Sequence, residues 1–181
     1  MKHFSSSHKV IAIIGIIILL AVGLYYVVPQ NNLTKQRTHE NVETFQILES
    51  NRPAFDSGVI DVFSDESDKP IATFTVEIAR TSFEQLYGLS FVKSLPQKQG
   101  MIFLNDTPRM TSFWMKNTFI PLDIIFLDED LKVVHIKKNA QPHDETVIPS
   151  EKKTLAVLEI NAKLSELLGI KLGSRVVLRH K

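Results

Sequence analysis

The sequence predicts a mostly β domain, a compact barrel or sandwich with two short helices, preceded by one transmembrane helix. Three observations predict it. An uncharged apolar run of 19 residues lies near the start of the chain. Seven or eight short runs with strand-like patterning follow it, and only two stretches among them read as helix. Alternating βαβ units are not visible, which argues against a doubly wound sheet.

The apolar run is residues 10–28, from Val10 to Val28. As a helix it would span roughly 28 Å, close to the ~30 Å hydrocarbon thickness of a bilayer. Tyr25 and Tyr26 lie near one end, where amphipathic rings favour the membrane interface. Pro29 then ends the helix, lacking an N–H and restricting its predecessor. A buried core helix would need a polar face, and this segment has none. A cleaved signal peptide is the nearer alternative, with Lys2 and Lys9 before the run and Ala21 and Gly23 as a small-residue site. The apolar run continues through Leu24 to Val28, which suits a retained anchor better. Lys2 and Lys9 precede the span without an acidic residue, so residues 1–9 are expected in the cytoplasm and the domain outside it.

Residues 29–57 are polar and read as a tether, with a helical turn around Val42–Leu48. Residues 58–181 form the globular domain, whose sixteen Lys/Arg balance sixteen Asp/Glu. A protein that grips phosphates needs a basic excess, so nucleic acid is not an expected partner. The chain has no cysteine, which rules out disulfides, thiolate catalysis and Cys-ligated zinc.

Within the domain, Val59–Phe63 is a short strand candidate, closed by the polar run 64–70. Ile71–Ala79 alternates, with Ala72, Phe74, Val76 and Ile78 on one face and Thr73, Thr75 and Glu77 on the other. Thr81 and Glu84 fit a capping box, and Gly88 is placed to end the short helix they open. Met101–Leu104, Thr111–Met115, Leu122–Leu127, Val133–Lys137, Leu155–Ile160 and Ser174–Arg179 are further strands. Asp128-Glu129-Asp130 reads as a hairpin turn, and Ala162–Leu168 as a second short helix with Gly169 beyond it.

The most distinctive stretch is Phe113-Trp-Met-Lys-Asn-Thr-Phe-Ile-Pro-Leu-Asp-Ile-Ile-Phe-Leu-Asp128. It resembles the hallmark of the domain-of-unknown-function 192 family, small β-rich domains of bacteria and archaea. Val76–Ala79, Gly88-Leu89, Gly100–Phe103, Leu158-Glu159 and Leu168–Gly173 agree, so the resemblance covers roughly residues 71–179. It implies a β-rich fold that is often exported or membrane-tethered, and it implies no catalytic set. Two departures stand out. Leu89-Ser-Phe-Val-Lys93 replaces a Met and Arg-containing turn, and Lys163 stands where the family usually has glycine.

If Thr111–Asn117 is extended, Trp114, Lys116 and Thr118 share one face. Pro121 makes a turn and Asp123 starts the next strand, so Trp114, Lys116, Asn117, Thr118 and Asp123 are expected at one rim. A flat ring beside amide, ammonium and carboxylate groups suits a polar ligand such as a sugar or peptide. The blander reading is a core Trp, with Asn117 and Asp123 bonding the backbone of the turn and Lys116–Asp123 as a surface ion pair. Pro142-His-Asp-Glu145 with His135 offers metal-ligand types but not convergence, and no metal or other cofactor is expected. Ser112, His135 and Asp123 make a triad only on paper, without a nucleophile elbow.

The function expected from these residues is a non-catalytic, membrane-anchored extracytoplasmic module that binds an envelope glycan, peptide or protein. The alternative is a small hydrolase using Asp123 as acid or base, with Lys116 or Asn117 stabilising charge. A structural subunit of a membrane complex would instead expose a broad apolar patch.

Overall fold

The computed structural model describes residues 50–180 together with Gln46. The expected anchor at 10–28 and most of the tether lie outside the described residues. Among the described residues no helix is long and apolar enough to cross a membrane. The chain divides into two compact units, 1–51 and Arg52–Lys181, and the second carries the fold described below. Arg52 and Phe55, just before the first strand, already belong to it. The Arg52 guanidinium meets Glu77 at 2.5 Å and lies 4.7 Å over the Phe55 ring.

In chain order the elements are β1 (Asp56–Phe63), β2 (Pro70–Ala79), α1 (Ser82–Tyr87), β3 (Gln99–Arg109), β4 (Ser112–Phe113) and β5 (Leu122–Leu127). They continue with β6 (Val133–Ala140), β7 (Ile148–Pro149), β8 (Thr154–Asn161), α2 (Leu164–Leu167) and β9 (Arg175–His180). Seven strands form one sheet in the order β6-β5-β8-β3-β2-β1-β9, and β4 pairs with β7 alone. The domain is therefore mostly β with two short helices, as the sequence predicts. The predicted strand Thr111–Met115 is shortened to Ser112–Phe113, and the two-residue β7 was not legible as a strand.

The sheet is open rather than a closed barrel or a sandwich. Beside its edges, Lys132 just before β6 and Arg175 of β9 form an isolated bridge, flanked by backbone hydrogen bonds from the Val176 amide to the Leu131 carbonyl (2.9 Å) and from the Val133 amide to the Ser174 carbonyl (2.8 Å). Leu131 (φ 56°) and Gly173 (φ 87°) flank that bridge, and their positive φ takes both chains out of extended geometry. One further expectation changes. β2 and β3 are parallel neighbours joined through α1, a single β-α-β crossover. The two strands and the helix are each readable locally, but the pairing of their ends is not a local property.

Two apolar layers hold the sheet. Ile60, Phe74, Val76, Ile78, Ile102, Ile125 and Leu158 belong to one. Met101, Phe103, Met115, Ile124, Phe126 and Val157 belong to the other, which covers the opposite side of the central strands. All six residues of β5 are buried. A strand covered on both faces needs no polar alternation, which explains the run Leu-Asp-Ile-Ile-Phe-Leu.

α1 forms where its capping box dictates. Thr81 Oγ1 accepts from the Glu84 amide at 3.2 Å, and Glu84 Oε2 accepts from the Thr81 amide at 2.8 Å. The Thr81 amide, joined by the Arg80 amide at 2.8 Å, holds the Glu84 carboxyl below its usual range. Gly88, at φ 51°, ends the helix and lets the chain pass the Phe103 ring, where a Cβ would approach within 3.2 Å.

Candidate functional site

A cleft of about 340 Å³ lies between the end of α1 and the segment 109–118. Its floor is the second apolar layer of the sheet, where Phe103 of β3 and Val157 and Glu159 of β8 line it. Alternation along β8 puts Val157 and Glu159 on the same face. Arg109, Met110, Trp114 and Lys116 line the opposite wall, and Leu86 stands at the end of α1. Leu86, Met110 and Trp114 are large apolar side chains left exposed at this mouth.

Of the residues singled out from sequence, Trp114, Lys116 and Thr118 line this cleft, and Asn117 and Asp123 do not. The convergence does not come from an extended strand. The chain leaves β4 after Phe113 and turns, with the Thr118 amide donating to the Met115 carbonyl at 3.1 Å. Asn117 makes that turn possible by taking a left-handed conformation (φ 56°), which Asn tolerates better than most residues. Its carbonyl accepts the Phe91 amide at 2.9 Å, tying the turn to the loop after α1. The Lys116 ammonium lies 5.8 Å from the Trp114 ring centroid and 3.8 Å from a Glu145 oxygen.

Asp123 is fully buried and engaged elsewhere. Its Oδ2 accepts from the Ser165 amide at 2.9 Å and the Ser165 hydroxyl at 2.6 Å, and its Oδ1 accepts from the Asn139 amide at 2.8 Å. Those bonds tie β5 to α2 and to the end of β6. Neither the turn contact with 118–121 nor the ion pair with Lys116 expected from sequence is the one formed.

Glu159 is the functional candidate that sequence reasoning missed. It pairs in register with Met101 of β3 and Ile124 of β5, is only 5 % exposed, and has no hydrogen-bond or ion-pair partner among the described residues. Burial alone pushes its carboxyl up to about 8. A signal was present: β8 reads as a run buried on both faces, and one carboxylate interrupts it.

Arg109 is held at the other end of the cleft. Its Nε donates to Asn105 Oδ1 at 2.9 Å and its Nη2 to Gln85 Oε1 at 3.1 Å. Both partners are neutral amides, so no carboxylate pairs with the guanidinium at the rim among the described residues.

The remaining candidate residues separate in space. His143 packs edge-on against Phe119 at 4.7 Å, Asp144 accepts from the Thr146 amide at 2.9 Å, and Glu145 turns to Lys116. The Thr146 hydroxyl, and then its amide, hold the Asp144 carboxyl below its usual range. His135 stacks on Phe126 at 5.1 Å, with Nε2 3.6 Å from Glu151. Among the described residues no group of three His, Asp or Glu side chains could hold a metal ion.

The fold and its hallmark segment have known counterparts. A protein of unknown function from Novosphingobium aromaticivorans DSM 12444 superposes with a TM-score of 0.62 at 48% identity, over 66% of this chain and 83% of that one. A candidate transcription regulator from Sinorhizobium meliloti 1021 superposes with a TM-score of 0.67 at 29% identity, over 70% and 96%. No curated protein sequence matches the chain. The DUF192 family, described as an uncharacterised ACR, matches residues 63–178, from the end of β1 into β9. The chain belongs to this domain-of-unknown-function 192 family, whose molecular function is unknown.

Proposed function

We propose that the protein is a ligand-binding domain held outside the cytoplasmic membrane by its N-terminal segment, with the cleft beside Trp114 as its site. One observation carries this reading: an unpartnered, buried Glu159 carboxyl lines a cleft whose mouth exposes Leu86, Met110 and Trp114. An isolated ionisable group in an apolar floor is costly to maintain and is a mark of a functional site. The volume falls at the small end of the range for ligand pockets, which runs from roughly 300 to 1,000 Å³. A sugar or a short peptide of the envelope is of suitable size and polarity.

Binding is favoured over hydrolysis by the composition of the cleft. Acid–base hydrolysis calls for two cooperating groups, or a nucleophile with its base. Glu159 is the only carboxyl among the lining residues, no histidine is among them, and Asp123 is committed to Ser165 and Asn139. The description of one similar structure as a transcription regulator raises nucleic acid as a partner. The equal numbers of acidic and basic residues in 58–181 argue against it here.

The test is retention of envelope components by the detergent-solubilised full chain. The proposal expects Trp114→Ala and Lys116→Ala to reduce retention at unchanged melting temperature. Unchanged retention by both variants would remove the cleft from the account.

A further inference from the structure

The chemistry of the cleft narrows the ligand. A buried carboxylate calls for a cation or for several hydrogen-bond donors. Glu159 has neither among the described residues, and its cross-strand neighbours Met101 and Ile124 are apolar. The two cations that line the cleft are otherwise disposed. Lys116 lies between Trp114 and Glu145, and Arg109 is clamped by Gln85 and Asn105. A ligand entering the cleft can supply the partner that the described residues do not. Phe103, Phe113 and Trp114 also line the space, and aromatic faces attract an ammonium group.

The rim carries the opposite charge. Arg109 has no carboxylate partner among the described residues, and its two amide contacts fix the guanidinium in place. Arg109 stands opposite Thr154, five residues before Glu159 on β8, which is roughly 17 Å along the strand. The guanidinium turns back toward Asn105 and takes up part of that distance. No ion pair joins the two charges, and burial is the whole cause of the Glu159 shift. Their strand positions are separated by more than the adjoining amine and acid of one free α-amino acid span.

We propose that the ligand is zwitterionic, with a primary ammonium group docking on Glu159 at the floor and an anionic group docking on Arg109 at the rim. This rests on the cleft being the binding site. A short peptide, or an amino acid whose amine is carried on a side chain, has the required separation. Apart from Glu159, the charged groups lining the cleft are Arg109 and Lys116, and both draw the ligand's anionic end outward. Glu159 is neutral below its raised range and ionises when the amine docks, so binding releases a proton into solution near pH 7.

Three probes of matched length test it by calorimetry on the solubilised full chain: 6-aminohexanoate, hexylamine and hexanoate. 6-Aminohexanoate is expected to bind at least tenfold more tightly than either single-charge probe. Glu159→Gln is expected to weaken 6-aminohexanoate and hexylamine by at least tenfold, and Arg109→Gln to weaken 6-aminohexanoate but not hexylamine. Titration at pH 7 in two buffers of different ionisation enthalpy is expected to show a proton released for 6-aminohexanoate. Affinity for 6-aminohexanoate that is unchanged in Glu159→Gln, or no binding of any of the three, overturns the proposal. If the probes fail while Trp114→Ala still abolishes retention of an envelope component, only the zwitterion falls and the binding reading stands.

Discussion

Asp123 of β5 and Ser165 of α2, 42 residues apart, form a double hydrogen bond through a single carboxylate oxygen, at 2.9 Å to the amide and 2.6 Å to the hydroxyl. This closes α2 onto the sheet and explains why an acid stands in an otherwise apolar strand. The carboxylate belongs to the architecture. Removing it leaves three donors without their acceptor, two on Ser165 and one on Asn139.

Asp123→Ala is therefore expected to destabilise the domain by about 3 kcal/mol or more, and Ser165→Ala by about 1 kcal/mol. Denaturant unfolding of the two variants checks the ranking. A loss within 0.5 kcal/mol for Asp123→Ala would contradict the role given to it.

Glu159 carries an opposite signature. Burial raises its folded-state pKa from the usual 4.5 to about 8, so the native state binds the proton more tightly than the unfolded chain. Its contribution is fully favourable below pH 4.5 and is lost as pH rises through about 8. Glu159→Gln cannot ionise and escapes that loss. The variant is expected to match the wild type near pH 4 and to exceed it at pH 9 by an amount on the order of a few kcal/mol. Thermal unfolding across that range checks it, and a difference independent of pH would contradict the burial argument.

Lys163 gives a test that needs no ligand. It precedes α2 in a left-handed conformation (φ 72°), at the position where the resemblance noted in the sequence implies a glycine. A non-glycine residue there carries backbone strain that glycine avoids. Lys163→Gly is expected to stabilise the domain by about 1 kcal/mol, and Lys163→Val to destabilise it by a similar amount or more. Equal stability for Gly and Val at this position would contradict the assignment.

The membrane reading is testable because the chain has no cysteine. Ser5→Cys and Ser67→Cys each create a single thiol, one before the apolar run and one in the exposed loop after β1. A membrane-impermeant maleimide is expected to label the second in intact cells and the first only after lysis. The reverse pattern would invert the topology, and release of the chain by alkaline washing would remove the anchor.

The local features were legible because their signals are local. The alternation of β2, the capping box of α1 and the 128–130 turn are each written in a few adjacent residues. Trp114, Lys116 and Thr118 line one cleft, brought there by a turn at Asn117 and not by the extended strand that i, i+2 spacing suggested. Closure and pairing were not legible. The open edges depend on Leu131 and Gly173, far apart in sequence, and the parallel β2–β3 pair depends on where a connection lands. Glu159 and Asp123 look alike in sequence, each one carboxylate within a buried run. Only the donors brought by Ser165 and Asn139 separate the tethered acid from the unpartnered one.

The central claim is that the cleft over Glu159 is a ligand site. A photo-reactive residue replacing Leu86, at the exposed mouth, measures this most directly in cells producing the full chain. The account predicts a cross-linked adduct by mass spectrometry that is present with Glu159 and lost in Glu159→Gln at unchanged protein level. An adduct of the same mass and yield in both forms, or none in either, would contradict it.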